Sequence, residues 1–149
     1  MFIEPDDLAH SVFEAFKMND VEAALEFTLD SEDYEDLFSN YTLDESEKKR
    51  LIDKHNETYV KKLQERFRKW FRAIIDDGAK KGAVWKDVKF ESRKGPDQDK
   101  PFHGAQAGEI YVFFSYEERH FRLTLDDCFL TSRVWLMSDE SGFKRVIDE

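Results

Sequence analysis

The spacing between apolar residues changes about half-way along this chain, and that change limits the folds it can adopt. In the first half, apolar side chains recur every three or four residues, which places them on one face of a helix. From Val84 onward the repeat becomes two residues, as in a strand with one buried face. The sequence therefore predicts a helical part over residues 1–82 and a sheet part over 83–149. A length of 149 residues fits a single domain.

The longest helical repeat predicts one amphipathic helix that dominates the first part. It is formed by Ile52, His55, Tyr59, Leu63, Phe67, Trp70 and Ile74. Gly78 and Gly82 are its expected terminators, and the pattern allows a break at His55 and Asn56. Three shorter helices are expected before it, with Pro5 in the first turn of the first and Ser31 as the cap of the third.

The second part predicts about four antiparallel strands. They cover residues 84–92, 110–116, 121–125 and 128–137, and residues 143–147 form a short edge strand or a loose tail. A polar loop over 93–108 follows the first strand, and Asp126 with Asp127 marks a turn or a bulge. Helices followed by such a meander indicate an α+β fold, in which helices cover one face of the sheet.

The charge of the chain is unevenly distributed. Twenty-three Lys and Arg residues against 33 Asp and Glu residues give a net charge of −10, which argues against nucleic acid and anionic membranes as partners. The net charge is −14 over residues 1–47, +9 over 48–94 and −5 over 95–149. Either these segments pack together or lie in solvent, or the densest acidic cluster docks a basic protein. That cluster contains Asp30, Glu32, Asp33, Glu35 and Asp36.

The remaining composition argues against several classes of protein. The first seven residues, MFIEPDD, lack the basic and apolar parts of a signal peptide. If Met1 is the native start we expect a cytoplasmic protein, and a trimmed sequence would leave a secreted or lipid-anchored precursor open. One cysteine, Cys128, excludes an internal disulfide. The two aspartates before it argue against a reactive thiolate, and its alternation with Leu130, Val134 and Leu136 predicts a buried structural thiol. The four histidines are scattered, so neither a metal site nor a cofactor is expected.

Three segments resemble a known superfamily. Residues 14–29 (EAFKMNDVEAALEFTL) are similar to the opening of many cystatin-like domains of the nuclear-transport-factor-two-like superfamily. Residues 80–92 (KKGAVWKDVKFES) and 108–129 (GEIYVFFSYEERHFRLTLDDCF) look like small bacterial members of unknown function. The resemblance implies a cone, with a pocket between a concave sheet and the helices. It implies no single reaction, because the superfamily includes isomerases, cyclases and dimerising domains.

Several residues are candidates for a site inside or around such a cone. His55, Asp126 and Asp127 are the candidate acid–base groups, although His55 also fits a core position and the aspartates also fit a strand-end turn. The candidate binding residues, placed in a pocket or at an interface, are Trp85, Trp135, His120, Arg122 and Tyr59. Trp85 alternates with polar residues, which predicts a place on the polar face of its strand.

The sequence favours a non-enzymatic module that binds a partner protein or forms a homodimer through its sheet. Apolar residues on both faces of the predicted sheet allow such pairing. Two alternatives stay open. The first is an isomerase- or cyclase-type enzyme that uses a pocket inside the cone. The second is an acidic inhibitor or immunity-type protein that covers a basic enzyme.

Overall fold

The computed structural model describes residues 3–97, 101–132 and 134–138, together with the backbone of residues 143–148. In this part of the chain, helices come first and strands second, as the apolar spacing predicts. The helices are α1 (Pro5–Lys17), α2 (Val21–Leu25), α3 (Ser31–Ser39), α4 (Glu45–Lys54) and α5 (Glu57–Lys80). The strands are β1 (Lys89–Lys94), β2 (Ala107–Tyr116), β3 (Arg119–Leu130), β4 (Trp135–Met137) and β5 (Phe143–Asp148).

The long helical repeat is divided into α4 and α5 at His55 and Asn56, where the sequence allowed a break. The Asn56 side chain accepts a hydrogen bond from the Tyr59 amide at 3.0 Å and so caps the start of α5. The start of α3 corrects a prediction, because its cap is Asp30 and not Ser31. Asp30 accepts from the Asp33 amide at 2.8 Å, and Asp33 accepts from the Asp30 amide at 3.0 Å, which forms a capping box.

The end of α5 confirms one predicted terminator and corrects the other. Gly82 has a φ of 96° just beyond the helix, and the amide of Ala83 donates to the Gly78 carbonyl at 2.9 Å. These are the features of a Schellman motif, which ends a helix with a left-handed glycine. Gly78 instead lies inside α5, where the indole of Trp85 packs directly against it.

The sheet is antiparallel, with β2 between β1 and β3. β4 and β5 both pair with the far side of β3, so they occupy the fourth strand position in two pieces. This arrangement corrects the predicted strand over residues 128–137, because Cys128 belongs to β3 and Met137 to β4. Two segments from the first part flank β4, since Trp135 donates to the Ile3 carbonyl and Met137 donates to the Phe27 carbonyl.

The first predicted strand begins later than the alternating pattern indicates. Trp85–Asp87 forms one turn of 3-10 helix, and β1 starts only at Lys89. Trp85 is therefore not on the polar face of a strand. Its side chain is only 8% exposed and its Nε1 donates to the Ile75 carbonyl of α5 at 2.9 Å. A tertiary contact with α5 therefore decides the position of this residue.

Two apolar clusters fill the space between the helices and the sheet. The larger one joins α1 and α5 to the inner sheet face, with Phe16 and Phe71 stacked at 4.2 Å between ring centres. The smaller one lies among α3, the start of α5 and the end of the sheet. Ile110, Val112 and Phe114 of β2 are fully buried, whereas the residues between them are half-exposed. The helices therefore cover one face of the sheet, as predicted.

The acidic and basic segments are partly packed together, as one interpretation of the charge pattern predicted. Arg68 of α5 pairs with Glu22 of α2 at 3.0 Å, and Arg93 of β1 pairs with Asp6 of α1. Exposed pairs of this kind contribute about 0–1 kcal/mol each. Among the described residues, no helix has both the length and the apolar character needed to cross a lipid bilayer.

Candidate functional site

An open cavity of about 830 Å³ lies between the helices α3, α4 and α5 and one end of the sheet. Aromatic side chains provide much of its wall, and charged groups are few. The aromatic and histidine residues of the wall are Tyr34, Phe38, Tyr41, His55, Phe102, His103 and Phe129. Leu37, Leu51, Lys54, Arg66, Ala107, Gly108, Asp127 and Ser138 complete the lining.

His55 is the centre of an aromatic cluster that forms part of this wall. It is 5% exposed, and its ring centre lies 4.6 Å from that of Tyr34 and 4.8 Å from that of Phe38. Tyr59 of α5 approaches it edge-on at 5.1 Å, although Tyr59 does not line the cavity. The predicted candidates His55 and Tyr59 are therefore in contact. The junction of α4 and α5 carries His55 into this cluster.

A backbone hydrogen bond determines the orientation of the His55 ring. Its Nδ1 lies 2.9 Å from the Leu51 carbonyl oxygen, one turn earlier in α4. A carbonyl can only accept, so Nδ1 carries a proton and donates it. In the neutral ring Nε2 is then the acceptor nitrogen. His55 thus contributes a fixed aromatic ring with a defined tautomer to the cavity.

The lip of the cavity is a tight turn in the loop that precedes β2. Phe102 and Ala105 exchange two backbone hydrogen bonds of 2.8 and 2.9 Å around His103 and Gly104. The φ angles of these two central residues are 48° and 82°, and type I′ hairpin turns require positive values at both. The Thr42 amide also donates to the His103 carbonyl at 2.8 Å. This turn holds Phe102 in place while leaving it 51% exposed.

The two candidate aspartates lie in a bulge of β3, one of the two arrangements that the sequence predicted. Gly108 pairs with Cys128 and Ile110 pairs with Leu125, so Asp126 and Asp127 together lie opposite a single residue of β2. Asp127 lines the cavity and Asp126 does not. The structure thus brings His55 and Asp127 to one cavity, and their acid–base role stays a prediction.

The other predicted binding residues lie elsewhere. Trp85 and Trp135 are buried in the larger apolar cluster. His120 and Arg122 lie on the outer face of β3. There the His120 Nδ1 is 2.9 Å from a carboxylate oxygen of Glu91, and the Arg122 guanidinium lies 5.2 Å from the ring centre of Tyr111. Of these four residues, the two tryptophans therefore lie in the core, and His120 and Arg122 lie on the outer sheet face. A role for them in binding stays a prediction.

The acidic cluster follows the N-terminal half of α3. Asp30 and Asp33 form the capping box, and Asp36 accepts hydrogen bonds from the backbone amide of Ser132 at 3.0 Å and from its hydroxyl at 2.8 Å. Glu32 and Glu35 are exposed. Three of the five carboxylates therefore have structural contacts in this fold, and docking of a basic protein stays a prediction.

Cys128 is buried, as the sequence predicted. Burial raises the pKa of its thiol well above the ordinary value, and the charges of Asp127 and Asp126 add to the effect. Within the described part of the chain, no group of three or more His, Cys, Asp or Glu side chains is placed to hold a metal ion.

Most of the cavity wall was not identified as a site from the sequence. The unrecognised residues include Tyr34, Phe38, Tyr41, Phe102, Phe129, Lys54 and Arg66. One local signal was present, because a lone phenylalanine in a polar loop precedes His103 and Gly104. A histidine followed by a glycine suits a tight turn, and Phe102, just before them, then lies at the tip of the loop.

Comparisons with known proteins establish the fold. No protein-family model matches the chain, and neither does any curated protein. Among solved structures, a cystatin-like protein from Ruminococcus gnavus matches 98% of this chain with a TM-score of 0.61 and 14% sequence identity. The match covers 44% of that protein, so the chain spans less than half of its length. At this identity the likeness extends to the fold alone, and on that basis the chain has a cystatin-like fold.

Proposed function

We propose that this chain is a binding domain that holds a small organic molecule in the cavity beside α3 and α4. The observation that carries the proposal is an open cavity of about 830 Å³ whose wall includes five aromatic side chains and two histidines. Cavities that bind small ligands have volumes of about 300–1,000 Å³ and are lined mainly by apolar and aromatic side chains. A few polar groups then fix the orientation of the ligand.

The rigidity of the wall supports this proposal. His55 is held by the Leu51 carbonyl, and Phe102 is held by a hydrogen-bonded turn. A cavity whose walls are already ordered loses little conformational entropy when a ligand binds. Phe102 also exposes about half of its surface to water, and a ligand would cover part of that apolar area.

Binding of an uncharged aromatic probe tests the proposal. N-phenyl-1-naphthylamine fluoresces strongly only outside water, so a titration of the folded chain reports its affinity. Phe102→Ala removes an exposed ring from the lip and should weaken binding about tenfold, because an aromatic contact contributes about 0.5–1.5 kcal/mol beyond its buried area. Phe113→Ala makes the same change on the outer sheet face and should leave the affinity within twofold. The proposal would be refuted if Phe113→Ala weakened binding more than Phe102→Ala does, or if the probe did not bind the unsubstituted chain.

A second candidate function is self-association through the outer sheet face. Tyr111 and Phe113 of β2 are half-buried there, and they alternate with the fully buried Ile110, Val112 and Phe114 of the covered face. A two-fold pair would bury both rings against the partner copy. Sedimentation velocity at micromolar concentration should then show a dimer that Phe113→Glu dissociates. A dimer with a dissociation constant of about 1 μM would be the main species at ~100 μM. A monomer at every concentration up to that value would therefore exclude this candidate.

A further inference from the structure

The charged residues of the cavity wall have a different balance from the chain as a whole. The described lining contains two permanent cations, Lys54 and Arg66, and one carboxylate, Asp127. With neutral histidines the formal charge of the lining is therefore +1, whereas that of the chain is −10. The cavity is thus a locally cationic region on a strongly acidic protein.

The two cations lie on different helices and reach the same cavity. Lys54 is the last residue of α4, and its Nζ lies 5.6 Å from the ring centre of Tyr59, beside the His55 cluster. Arg66 lies in α5. Within the described residues neither side chain forms an ion pair, whereas Arg68, two residues after Arg66 in α5, pairs with Glu22 at 3.0 Å. Neither cation therefore has a carboxylate ion-pair partner within the described part of the protein.

Cations beside an aromatic wall match one class of ligand. A flat ring system gains from edge-on or stacked contacts with Tyr41, Phe102 and Phe129. An acidic group on that ring system would receive charge-assisted hydrogen bonds from Lys54 and Arg66, and these are stronger than neutral ones. The acidic segment of residues 1–47, with a net charge of −14, disfavours anions on its own surface.

We infer that the cavity takes an aromatic organic anion, with its ring system against the aromatic wall and its acidic group towards Lys54 and Arg66. This inference rests on the proposed binding function and specifies its ligand class. Asp127 is the one described carboxylate in the lining.

Two probes with the same ring system separate the inference from the proposal on which it rests. 1-Anilinonaphthalene-8-sulfonate carries an anionic group, and N-phenyl-1-naphthylamine lacks it. The double variant Lys54→Gln/Arg66→Gln should bind the sulfonate about tenfold more weakly, because exposed charge pairs contribute a few-fold each. Its affinity for the neutral probe should stay within twofold. Both side chains are exposed, so the substitutions should leave the fold intact.

The matched control is Lys61→Gln/Arg72→Gln, which removes two exposed cations from α5 outside the cavity. It lowers the net charge equally and should change sulfonate binding by less than twofold. Equal losses in the two double variants would overturn the inference, because the effect would then come from net charge alone. Strong binding of the neutral probe together with no loss of sulfonate binding in Lys54→Gln/Arg66→Gln would also overturn it, and would leave the proposed function standing. Failure of both probes to bind the unsubstituted chain would refute both.

Discussion

The contact between Gly78 and Trp85 gives a sharp test of how the helical part is joined to the sheet. A β-carbon built at position 78 would lie 2.5 Å from Cζ2 and 2.9 Å from Cε2 of the Trp85 indole. The indole cannot easily move, because it is buried and its Nε1 donates to the Ile75 carbonyl at 2.9 Å. Gly78→Ala therefore forces a shift at a packed interface.

Two opposing effects determine the result of this substitution. Alanine is favoured over glycine inside a helix by about 0.8–1.0 kcal/mol, and by less near the helix end. Overpacking of a filled core costs about 1–3 kcal/mol. We expect the steric cost to exceed the gain in helix propensity, which leaves the free energy of unfolding lower by about 1 kcal/mol. For a chain of this length that corresponds to a melting temperature lower by about 3 °C.

Urea unfolding of four proteins isolates the steric contribution. They are the unsubstituted chain, Gly78→Ala, Trp85→Leu and the double variant. In the Trp85→Leu background the clash is absent, so Gly78→Ala should raise the free energy of unfolding by up to about 1 kcal/mol. The sign of its effect should therefore reverse between the two backgrounds. An equal stabilisation in both backgrounds would refute the reasoning.

Two further predictions concern carboxylates of α3. Burial, together with the charges of Asp30 and Asp36, raises the pKa of Asp33 to about 6, so the folded chain holds this proton more tightly than the unfolded chain. The stabilising effect of this proton is complete below the ordinary pKa of an aspartate and is lost as pH rises through about 6. Asp33→Asn should therefore raise the free energy of unfolding at pH 7.5 by about 1 kcal/mol, a value that allows for the half-exposed position of Asp33. The same substitution should raise it less at pH 4.5. Urea unfolding at both pH values measures this, with Glu35→Gln as a control that removes an exposed carboxylate from the same helix. An equal effect of Asp33→Asn at both pH values would contradict the prediction. Asp36→Ala removes the group that accepts hydrogen bonds from the amide and the hydroxyl of Ser132. It should lower the free energy of unfolding by about 1 kcal/mol, and Ser132→Ala should lower it by less. An unchanged urea midpoint for Asp36→Ala would show that this contact does not stabilise the fold.

The order of helices and strands was predictable because apolar spacing is a local property of the sequence. The cap at Asn56 also follows from local chemistry, since its side chain bonds an amide three residues later. These features depend on near neighbours in the chain, and a single sequence contains that information.

The position of Trp85 depends instead on distant residues. The alternation around it is typical of a strand, but Gly78 and Ile75 of α5 draw the indole inward. A glycine in a helical pattern commonly signals its end, whereas here it provides space for a ring from another segment. Long-range packing of this kind overrides local preference and leaves no periodic signal.

The cavity was predictable only in part, through the resemblance that implied a pocket. Its wall combines α3, the junction at His55, the turn at Phe102 and the end of β3. Sequence reasoning identified His55 and Asp127 singly but could not bring them together. Tertiary packing decides which distant segments of the chain come into contact, and a single sequence does not show this directly.

Intermolecular nuclear Overhauser effects between a bound probe and the chain test the central claim most directly. With N-phenyl-1-naphthylamine at saturation, the account predicts contacts from the probe to the ring protons of Phe102 and Tyr41, which line the cavity. It predicts none to Tyr111 and Phe113 on the outer sheet face. Contacts confined to those two residues would contradict the account.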